Sequence, residues 1–415
     1  MIKSNKWKAI SAESQDNHLP MNKIINDPVH GFIHTKFDII LDLINHPYFQ
    51  RLRNIVQLGL TNYVYPGANH SRFHHALGAF HLMQEALKNL REKGIEITEK
   101  EEEAACIAIL LHDIGHGPFS HTLEHSILKG ISHEEISLYL MKQLNISYNG
   151  GLTLAIEMFQ NRYERKFFFQ LISSQLDVDR LDYLSRDSFF TGVKEGKVNV
   201  DRILKMLHVK DNQLVVEEKG ALSIESYLIA RKIMYWQVYI HKTVLSVEQM
   251  LVQLFRRIED LKAENVFITA HNSLDFFLNN KGKLELNEQV IGAFIKISDS
   301  DIWHLLKKLQ SSEDTILNFL SNAIMNRKLL KSKSSVDSFD QKYKIKEGFD
   351  SKYLIFQQKV DLTTYSNNDG IMILKKDGSI QSLHDYSIEN GFGMAASKNS
   401  KYYLFYPEGS IEFMN

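Results

Sequence analysis

The chain has 415 residues, which exceeds the size at which one hydrophobic core usually stops growing, so we expect one large domain with an appendage, or two domains. Its 49 Lys and Arg residues are balanced by 50 Asp and Glu residues, and a net charge of −1 excludes the overall basic field of a dedicated nucleic-acid-binding protein. The single cysteine, Cys106, excludes an internal disulfide and lies in an apolar run, which favours a buried thiol.

Three segments follow one another along the chain. Residues 1–20 are polar and lack periodicity, so we expect a flexible N-terminal extension. Residues 21–330 carry apolar residues every three or four positions and few prolines, which predicts a mainly α-helical domain. Residues 331–415 are expected to form a small α+β region. No apolar stretch approaches the length of a membrane span, so we expect a cytoplasmic protein without a membrane partner.

Helix starts can be located from capping residues. Ser71 predicts a helix from Arg72 through Leu90 that ends near Gly94. Thr98 and Glu101 form a capping-box pattern that opens a helix running into His112 and Asp113. Ser173 or Ser174 is expected to open a helix that contains Asp179.

The C-terminal pattern differs from that of the helical segment. Residues 326–335 are basic and serine-rich, and we interpret them as a solvated linker. Apolar runs at 353–356, 371–374 and 402–406 predict short strands, with a hairpin turn at 376–379.

One run of residues carries most of the functional information, the decamer from His112 and Asp113 to His121. An adjacent imidazole and carboxylate can both bind a divalent metal ion, which needs several converging donors with positions left open for water and substrate. Packed helices could add donors from residues 72–75 and 177–183. Any one of these pieces alone is more often an ordinary core or surface group. Their order, a His in a helix, then His-Asp, then a more distant Asp, is typical of the HD domain.

Further segments extend this likeness over roughly residues 22–260. The segments 26–31, 49–59, 65–75, 112–121 and 177–187 together resemble the HD-domain deoxynucleoside triphosphate triphosphohydrolases, including the sterile-alpha-motif/HD enzyme of animals and its bacterial relatives. The resemblance implies an HD-domain helical fold and a divalent ion, Mg, Mn or Fe. It implies four metal ligands, namely His75, His112, Asp113 and Asp179. It also implies a polar catalytic cluster of His116, His121, Glu124 and His133, in which Glu124 stands where the family has Asp.

Spacing also suggests a substrate-binding surface. Asp179, Tyr183 and Asp187 recur every four residues and share one helix face. Arg231, Tyr235 and Tyr239 repeat that spacing, although an amphipathic helix with snorkelling ends explains it equally well. By resemblance, Arg72, Arg180 and Arg231 contact phosphates. Likewise by resemblance, the sugar and base are surrounded by Gln57, Leu58, Tyr183, Asp187 and Tyr239. Arg180 replaces a lysine and Tyr235 a histidine of the animal enzyme.

The expected reaction is metal-dependent hydrolysis of a deoxynucleoside triphosphate to deoxynucleoside and inorganic triphosphate. Water activated by the metal would attack the α-phosphorus, and His121 or His133 would protonate the departing 5′ oxygen. Five further residues resemble the nucleotide effector site of the animal enzyme, namely Lys23, Asn26, Asn45, Arg51 and Arg53. Asn45 stands where that enzyme has the acidic residue that reads guanine, which argues against simple guanine-nucleotide activation. Relatives commonly oligomerise, so the resemblance implies a homo-oligomer, a dimer or tetramer.

Two other functions remain open at this point. The same metal site could hydrolyse nucleoside monophosphates or another phosphoester, because HD sites perform many hydrolyses. A nucleotide sensor or nucleic-acid-binding protein could use the basic residues at 326–335 and 162–166. The complete ligand set and the balanced charge disfavour that last function.

Overall fold

The structure is a computed structural model that describes residues 23–270, 272–340, 342–363, 370–391 and 398–414, without the side chains of a few residues, His121 among them. The predicted extension at 1–20 lies outside this part of the chain. Seventeen α-helices occur in it. They are α1 Asp38–Asn45, α2 Pro47–Gln50, α3 Arg72–Glu92, α4 Glu99–Leu111, α5 Ser120–Ile127, α6 His133–Ser147, α7 Thr153–Phe159, α8 Lys166–Ile172, α9 Val178–Thr191, α10 Val200–Met206, α11 Ala221–Met234, α12 Lys242–Ala263, α13 Asn272–Asn279, α14 Glu288–Phe294, α15 Asp299–Leu309, α16 Thr315–Met325 and α17 Leu383–Glu389.

The described strands are short and concentrate near the C-terminus. They are β1 Ile24–Asp27, β2 Gly31–His34, β3 Leu207–Lys210, β4 Gln213–Glu217, β5 Lys331–Ser335, β6 Tyr343–Ile345, β7 Phe356–Thr363, β8 Met372–Leu374, β9 Ile380–Ser382, β10 Lys398–Tyr406 and β11 Ile411–Phe413. β1 and β2 form a hairpin, β5, β10 and β7 form one sheet in that order, and β11 pairs with β6. The fourth sheet, β3-β4-β8-β9, joins the helical part to the C-terminal part through the parallel pair β4 and β8. The predicted class, mainly helical with a smaller α+β region, is confirmed.

Two of the three predicted helix starts are confirmed, and the third is wrong. Ser71 caps α3, and Thr98 and Glu101 form the predicted capping box of α4 through their side chains and backbone amides. The helix that contains Asp179 begins after Asp177, whose carboxylate accepts hydrogen bonds from the backbone amides of Arg180 and Ser174 at 2.7 and 2.6 Å. Asp177 therefore supplies the cap, because α8 ends immediately before these serines.

The predicted linker also needs correction. Residues 331–335 form β5, which pairs antiparallel with β10, so this stretch is not simply a solvated connection. Residues 353–355 precede β7 and are not part of a strand. The strands at 372–374 and 402–406 are confirmed, as is the turn at 376–379, where Gly378 adopts a φ of 84°.

α3 and α4 lie at the centre of the core. Both are surrounded by apolar side chains, and α3 packs against α4 and α9. Cys106 on α4 is fully buried, as predicted, and burial raises the pKa of its thiol. No helix in the described ranges has both the length and the apolar character needed to cross a membrane.

Candidate active site

Three packed helices bring the predicted metal ligands together. His75 lies in the first turns of α3, His112 and Asp113 follow α4 directly, and Asp179 lies in the first turn of α9. The close approach of α3 and α9 depends on Gly78, because a Cβ there would lie 1.9 Å from Asp182 Oδ1. Packing of these helices thus places residues that are distant in sequence in one cluster.

The donor atoms converge closely enough to hold one ion. His75 Nε2 and His112 Nε2 lie 3.0 and 3.5 Å from Asp179 Oδ1, and the ligand atoms of these three residues all lie within 4.8 Å of one another. Asp113 adds a second carboxylate, with Oδ1 3.4 Å from His112 Nε2 and Oδ2 3.8 Å from His75 Nε2. Both Nε2 atoms are buried, and neither makes a well-formed hydrogen bond to a described residue. Two imidazoles and two carboxylates fit a divalent cation that prefers nitrogen and oxygen donors.

The electrostatics of the cluster favour positive charge at its centre. Burial alone would lower the pKa of His75, but Asp179 and Asp182 outweigh it and raise that pKa to about 10. Burial likewise opposes the raised pKa of His112, which follows from Asp113 and Asp179. Burial would raise the pKa of Asp179, yet His112 and His75 lower it well below its ordinary value. A bound cation would replace the protons on the two rings.

A buried network behind His75 was not found from the sequence. His75 Nδ1 lies 2.8 Å from Asp182 Oδ2, and the other oxygen of Asp182 lies 2.6 Å from His30 Nε2. Arg186 bonds both oxygens of Asp182 and also pairs with Asp27 at 2.8 Å. Histidine ligands commonly direct their second nitrogen at a carboxylate, which fixes the ring and raises its basicity. The segment 26–31 contributed to the family resemblance. Its contact with Asp182, which in turn holds His75, joins residues 152 positions apart, so no local sequence pattern revealed it.

Asp299 is a second residue that sequence analysis missed. Its carboxylate is buried and accepts hydrogen bonds from the backbone amides of Val56 at 2.8 Å and Phe119 at 2.9 Å. It therefore joins the segment that precedes Gln57 to the N-terminal end of α5. Burial raises the pKa of Asp299 to about 6, against the lowering effect of these amides and of Arg72 and Arg51.

The predicted catalytic cluster is largely assembled beside Asp113. His116 Nε2 lies 3.2 Å from Asp113 Oδ1, and the His116 ring stacks on His133 with 3.9 Å between centroids. His133 Nδ1 lies 2.7 Å from Glu124 Oε1, so the longer carboxyl side chain reaches the ring. Gly115 permits this arrangement, because a Cβ there would lie 2.2 Å from the backbone oxygen of His133. The His121 side chain lies outside the described part of the chain.

Tyrosines and a carboxylate border the metal cluster on its α9 side. The Tyr183 ring lies 6.4 Å from His75 and 6.3 Å from Tyr239, measured between centroids. Asp187 is buried, and its two oxygens lie 2.8 Å from His70 Nε2 and 2.7 Å from the Tyr239 hydroxyl. A π-helical turn, Tyr235–Tyr239, follows α11 and contains Tyr235 and Tyr239, which are two of the predicted substrate-binding residues. Such turns occur frequently at functional sites.

The predicted phosphate-binding arginines all have protein partners in this structure. Arg72 donates to Asp113 Oδ2 at 2.6 Å and to Ser120 Oγ at 3.0 Å. Arg180 pairs with Asp177 at 2.6 Å, and Arg231 donates to Gln175 Oε1 at 2.7 Å. Their role in binding phosphate stays a prediction.

The remaining predicted substrate residues lie at the edge of this region. Gln57 has a buried side-chain oxygen without a hydrogen-bond partner among the described residues, and Leu58 packs against the core. Tyr235 is exposed and lies 6.1 Å from Tyr239 between ring centroids.

The five residues predicted to bind an effector do not share one environment. Lys23, Asn26, Asn45 and Arg53 are exposed, and Arg53 lies 3.6 Å above the Phe73 ring. Arg51 is buried and donates to the backbone oxygens of Ile114 and His116 at 3.0 and 2.7 Å. Its guanidinium therefore supports the loop after Asp113, which sequence analysis did not anticipate.

Comparison with known proteins agrees with this geometry. The model described as the HD domain matches residues 72–187, and the model described as the HD associated region matches residues 198–282. The uncharacterised protein YwfO of Bacillus subtilis is 32% identical over 95% of this chain and 94% of its own length. The chain belongs to the HD-domain family.

Two further similar proteins carry informative names. A solved phosphohydrolase of Bacteroides thetaiotaomicron shares 44% sequence identity at a TM-score of 0.87, covering 93% of this chain and 99% of that one. The deoxynucleoside triphosphate triphosphohydrolase SAMHD1 homolog of Dictyostelium discoideum is 30% identical over 74% of this chain. This HD-domain chain spans 58% of that relative's length.

Proposed function

We propose that this HD-domain protein hydrolyses deoxynucleoside triphosphates to deoxynucleosides and inorganic triphosphate. The observation that carries the proposal is the convergence of His75 Nε2, His112 Nε2 and Asp179 Oδ1 beside Asp113. A divalent ion held by these residues would supply Lewis-acid activation of water and would compensate phosphate charge. The name of the Dictyostelium relative supports the choice of substrate.

The chain's own residues divide the remaining work. Asp182 holds the His75 ring through Nδ1, so that Nε2 faces the cluster. Arg72 is charged and buried beside Asp113, where its guanidinium can bind a phosphate oxygen and offset negative charge. Arg180 lies next to Asp179 and can exchange its pairing with Asp177 for a phosphate.

Proton transfer to the departing 5′ oxygen is assigned to His133 or His121. Glu124 Oε1 lies 2.7 Å from Nδ1 of His133, and Glu134 Oε1 lies 3.2 Å from Nε2. To donate the proton, Nε2 would exchange Glu134 for the departing oxygen. Such general acid catalysis contributes about 10²- to 10⁴-fold to a rate. Stacking on His116 restrains the orientation of the His133 ring.

Tyr183, Asp187 and Tyr239 are the candidates for holding the deoxyribose. The two tyrosine rings lie within contact distance of each other near His75, and a sugar can pack against them. Asp187 could exchange one of its two present partners for a sugar hydroxyl.

A second candidate function is hydrolysis of another phosphoester, a nucleoside monophosphate among them. The metal ligands alone can support it, because they act on a phosphate whatever group it carries, and a phosphoester without a sugar would leave the contacts of Asp187 with His70 and Tyr239 intact. The two functions differ in their products.

The test is product identification with metal-loaded protein and each of the four deoxynucleoside triphosphates. The proposal predicts deoxynucleoside and inorganic triphosphate in equal amounts, separated by ion-exchange chromatography. Asp179→Ala should abolish both products, whereas the exposed His304→Ala control should retain them. Release of orthophosphate from monophosphates, without cleavage of any triphosphate, would support the second candidate instead.

A further inference from the structure

A cavity of about 480 Å³ lies between α5 and α12, and we call it the α5–α12 cavity. Thr122 and Ser126 of α5 line it, together with a stripe of α12 that runs from Gln249 to Lys262. A different face of α5, with Leu123 and Glu124, borders His116 and His133. Ile127 lines both spaces, so α5 separates this cavity from the candidate catalytic cluster. The volume falls in the range typical of small-molecule sites, roughly 300–1,000 Å³.

The wall of the cavity carries an excess of positive charge. Lys129, Arg256 and Lys262 line it, against one carboxylate, Glu259, among the described lining residues. Lys129 pairs with Glu259, whereas Arg256 is exposed and makes no ion pair with any described residue. Lys262 donates to the backbone oxygen of Asn280 at 2.8 Å, and burial together with Lys129 lowers its pKa, an effect that a bound anion would offset. The wall therefore favours an anion, although the whole chain has a net charge of only −1.

Amide side chains occupy the rest of the polar wall. Gln249, Gln253 and Gln358 line the cavity, Gln253 is buried, and the side-chain oxygen of Gln358 is buried without a hydrogen-bond partner among the described residues. Each amide presents a donor beside an acceptor, which matches the edge of a nucleobase. Phe277 and Phe356 add flat apolar surface on which a base could pack.

We propose that the α5–α12 cavity binds a nucleoside polyphosphate as an effector. Arg256, Lys129 and Lys262 contact its phosphates, and the glutamine amides contact its base. The site is distinct from the metal cluster and from Lys23, Asn26, Asn45, Arg51 and Arg53. A ligand there acts on the catalytic cluster through α5, whose other face holds Glu124 against His133.

Calorimetric titration and peptide-resolved hydrogen exchange test this site on the full chain. The probes are dATP, ATP and inorganic triphosphate, each added in EDTA so that metal-dependent hydrolysis does not consume them. The expected result is protection of peptides covering 122–129 and 249–262, with tighter binding of the nucleotides than of inorganic triphosphate. Arg256→Glu should weaken this binding about tenfold or more, because it replaces a charge-assisted contact by repulsion. Lys142→Glu, the same charge reversal at an exposed position of α6, should leave it unchanged.

Several results would overturn the assignment. Protection confined to peptides other than 122–129 and 249–262 would place the nucleotide elsewhere. Undiminished protection of 249–262 in Arg256→Glu would exclude Arg256 as a phosphate contact, and equal affinities for dATP and triphosphate would remove the role of the base. A change in sedimentation of the nucleotide-free protein on Arg256→Glu would make the cavity an interface between copies of the chain. Protection of 178–191 reports the catalytic site separately, so failure of the effector site and failure of the proposed hydrolysis remain distinguishable. Circular dichroism checks the fold of each variant, and Arg256→Gln serves as a milder second substitution.

Discussion

His75 and Asp182 are joined by a 2.8 Å contact between Nδ1 and Oδ2, and both side chains are fully buried. The contact turns Nε2 of the ring toward Asp179, with which it shares the candidate metal position. We expect Asp182→Asn to weaken metal binding about 10- to 100-fold, because the neutral amide holds the ring less firmly and lowers its basicity.

Competition for Mn²⁺ against a chelating dye measures this effect. Asp201→Asn makes the same chemical change at an exposed carboxylate of α10 and should have no effect. Equal metal affinity in wild type and Asp182→Asn would show that Asp182 does not position the ligand. Arg186 retains Asp27 as a partner in this variant, and far-ultraviolet circular dichroism checks that the helical fold is unchanged.

Asp299→Asn should lower kcat about 10- to 100-fold with a smaller change in KM. The carboxylate accepts from the amides of Val56 and Phe119, and an Asn side chain offers one acceptor oxygen where two are needed. Small misplacements at a reacting centre have effects of this size. Steady-state kinetics with the preferred triphosphate measures both constants. A rise in KM alone would argue for a binding defect instead of displacement of α5.

Tyr239→Phe removes the hydroxyl bonded to Asp187 and keeps the ring beside Tyr183. We expect kcat/KM for a deoxynucleoside triphosphate to fall about 10- to 100-fold, since a hydrogen bond to a charged group contributes about 1.5–3 kcal/mol. Tyr139→Phe is the matched control, because the Tyr139 hydroxyl has no hydrogen bond to a described residue. Unchanged kinetics in Tyr239→Phe would exclude this hydroxyl from substrate binding.

Glu248 predicts a pH dependence of stability. Burial raises the pKa of this α12 carboxyl to about 7, in spite of a hydrogen bond from Thr122. The folded state then binds more protons than the unfolded state between about pH 4.5 and pH 7, so the free energy of unfolding falls as the pH rises through that window. One pKa unit corresponds to about 1.4 kcal/mol, so the loss is on the order of 3 kcal/mol.

Urea unfolding at several pH values tests this dependence. Glu248→Gln imitates the protonated acid, so its stability advantage over the wild type should grow from about pH 4.5 to about pH 7 and then stay constant. The exposed Glu157→Gln substitution should not change the slope of the wild-type curve. Parallel pH profiles for wild type and Glu248→Gln would contradict the raised pKa.

Local signals in the sequence predicted the parts of the site that depend on short segments. Ser71 and Thr98 identified α3 and α4 because capping involves residues only three positions apart. The order of His75, His112 and Asp179 pointed to one cluster. The supports of that cluster, His30 with Asp182 and Asp299 with Phe119, join residues 152 and 180 positions apart, and no local pattern records them.

One error has a local cause, and the other depends on a strand that is distant in sequence. Ser173 and Ser174 are suitable cap residues by type. Asp177 caps α9 instead, because its carboxylate accepts hydrogen bonds from two backbone amides. Residues 331–335 lack the alternating apolar pattern of a strand, and their pairing is supplied by β10. Strand pairing of this kind depends on the partner strand, which explains why the segment was interpreted as a linker.

The most direct test of the proposed hydrolysis is the reaction of metal-loaded protein with one deoxynucleoside triphosphate in ¹⁸O-labelled water, followed by ³¹P NMR and mass spectrometry. Attack on the α-phosphorus with departure of the 5′ oxygen predicts one ¹⁸O atom in each inorganic triphosphate and unlabelled deoxynucleoside. His112→Ala should give neither product. Release of pyrophosphate with deoxynucleoside monophosphate, or no turnover of any of the four deoxynucleoside triphosphates, would contradict the account.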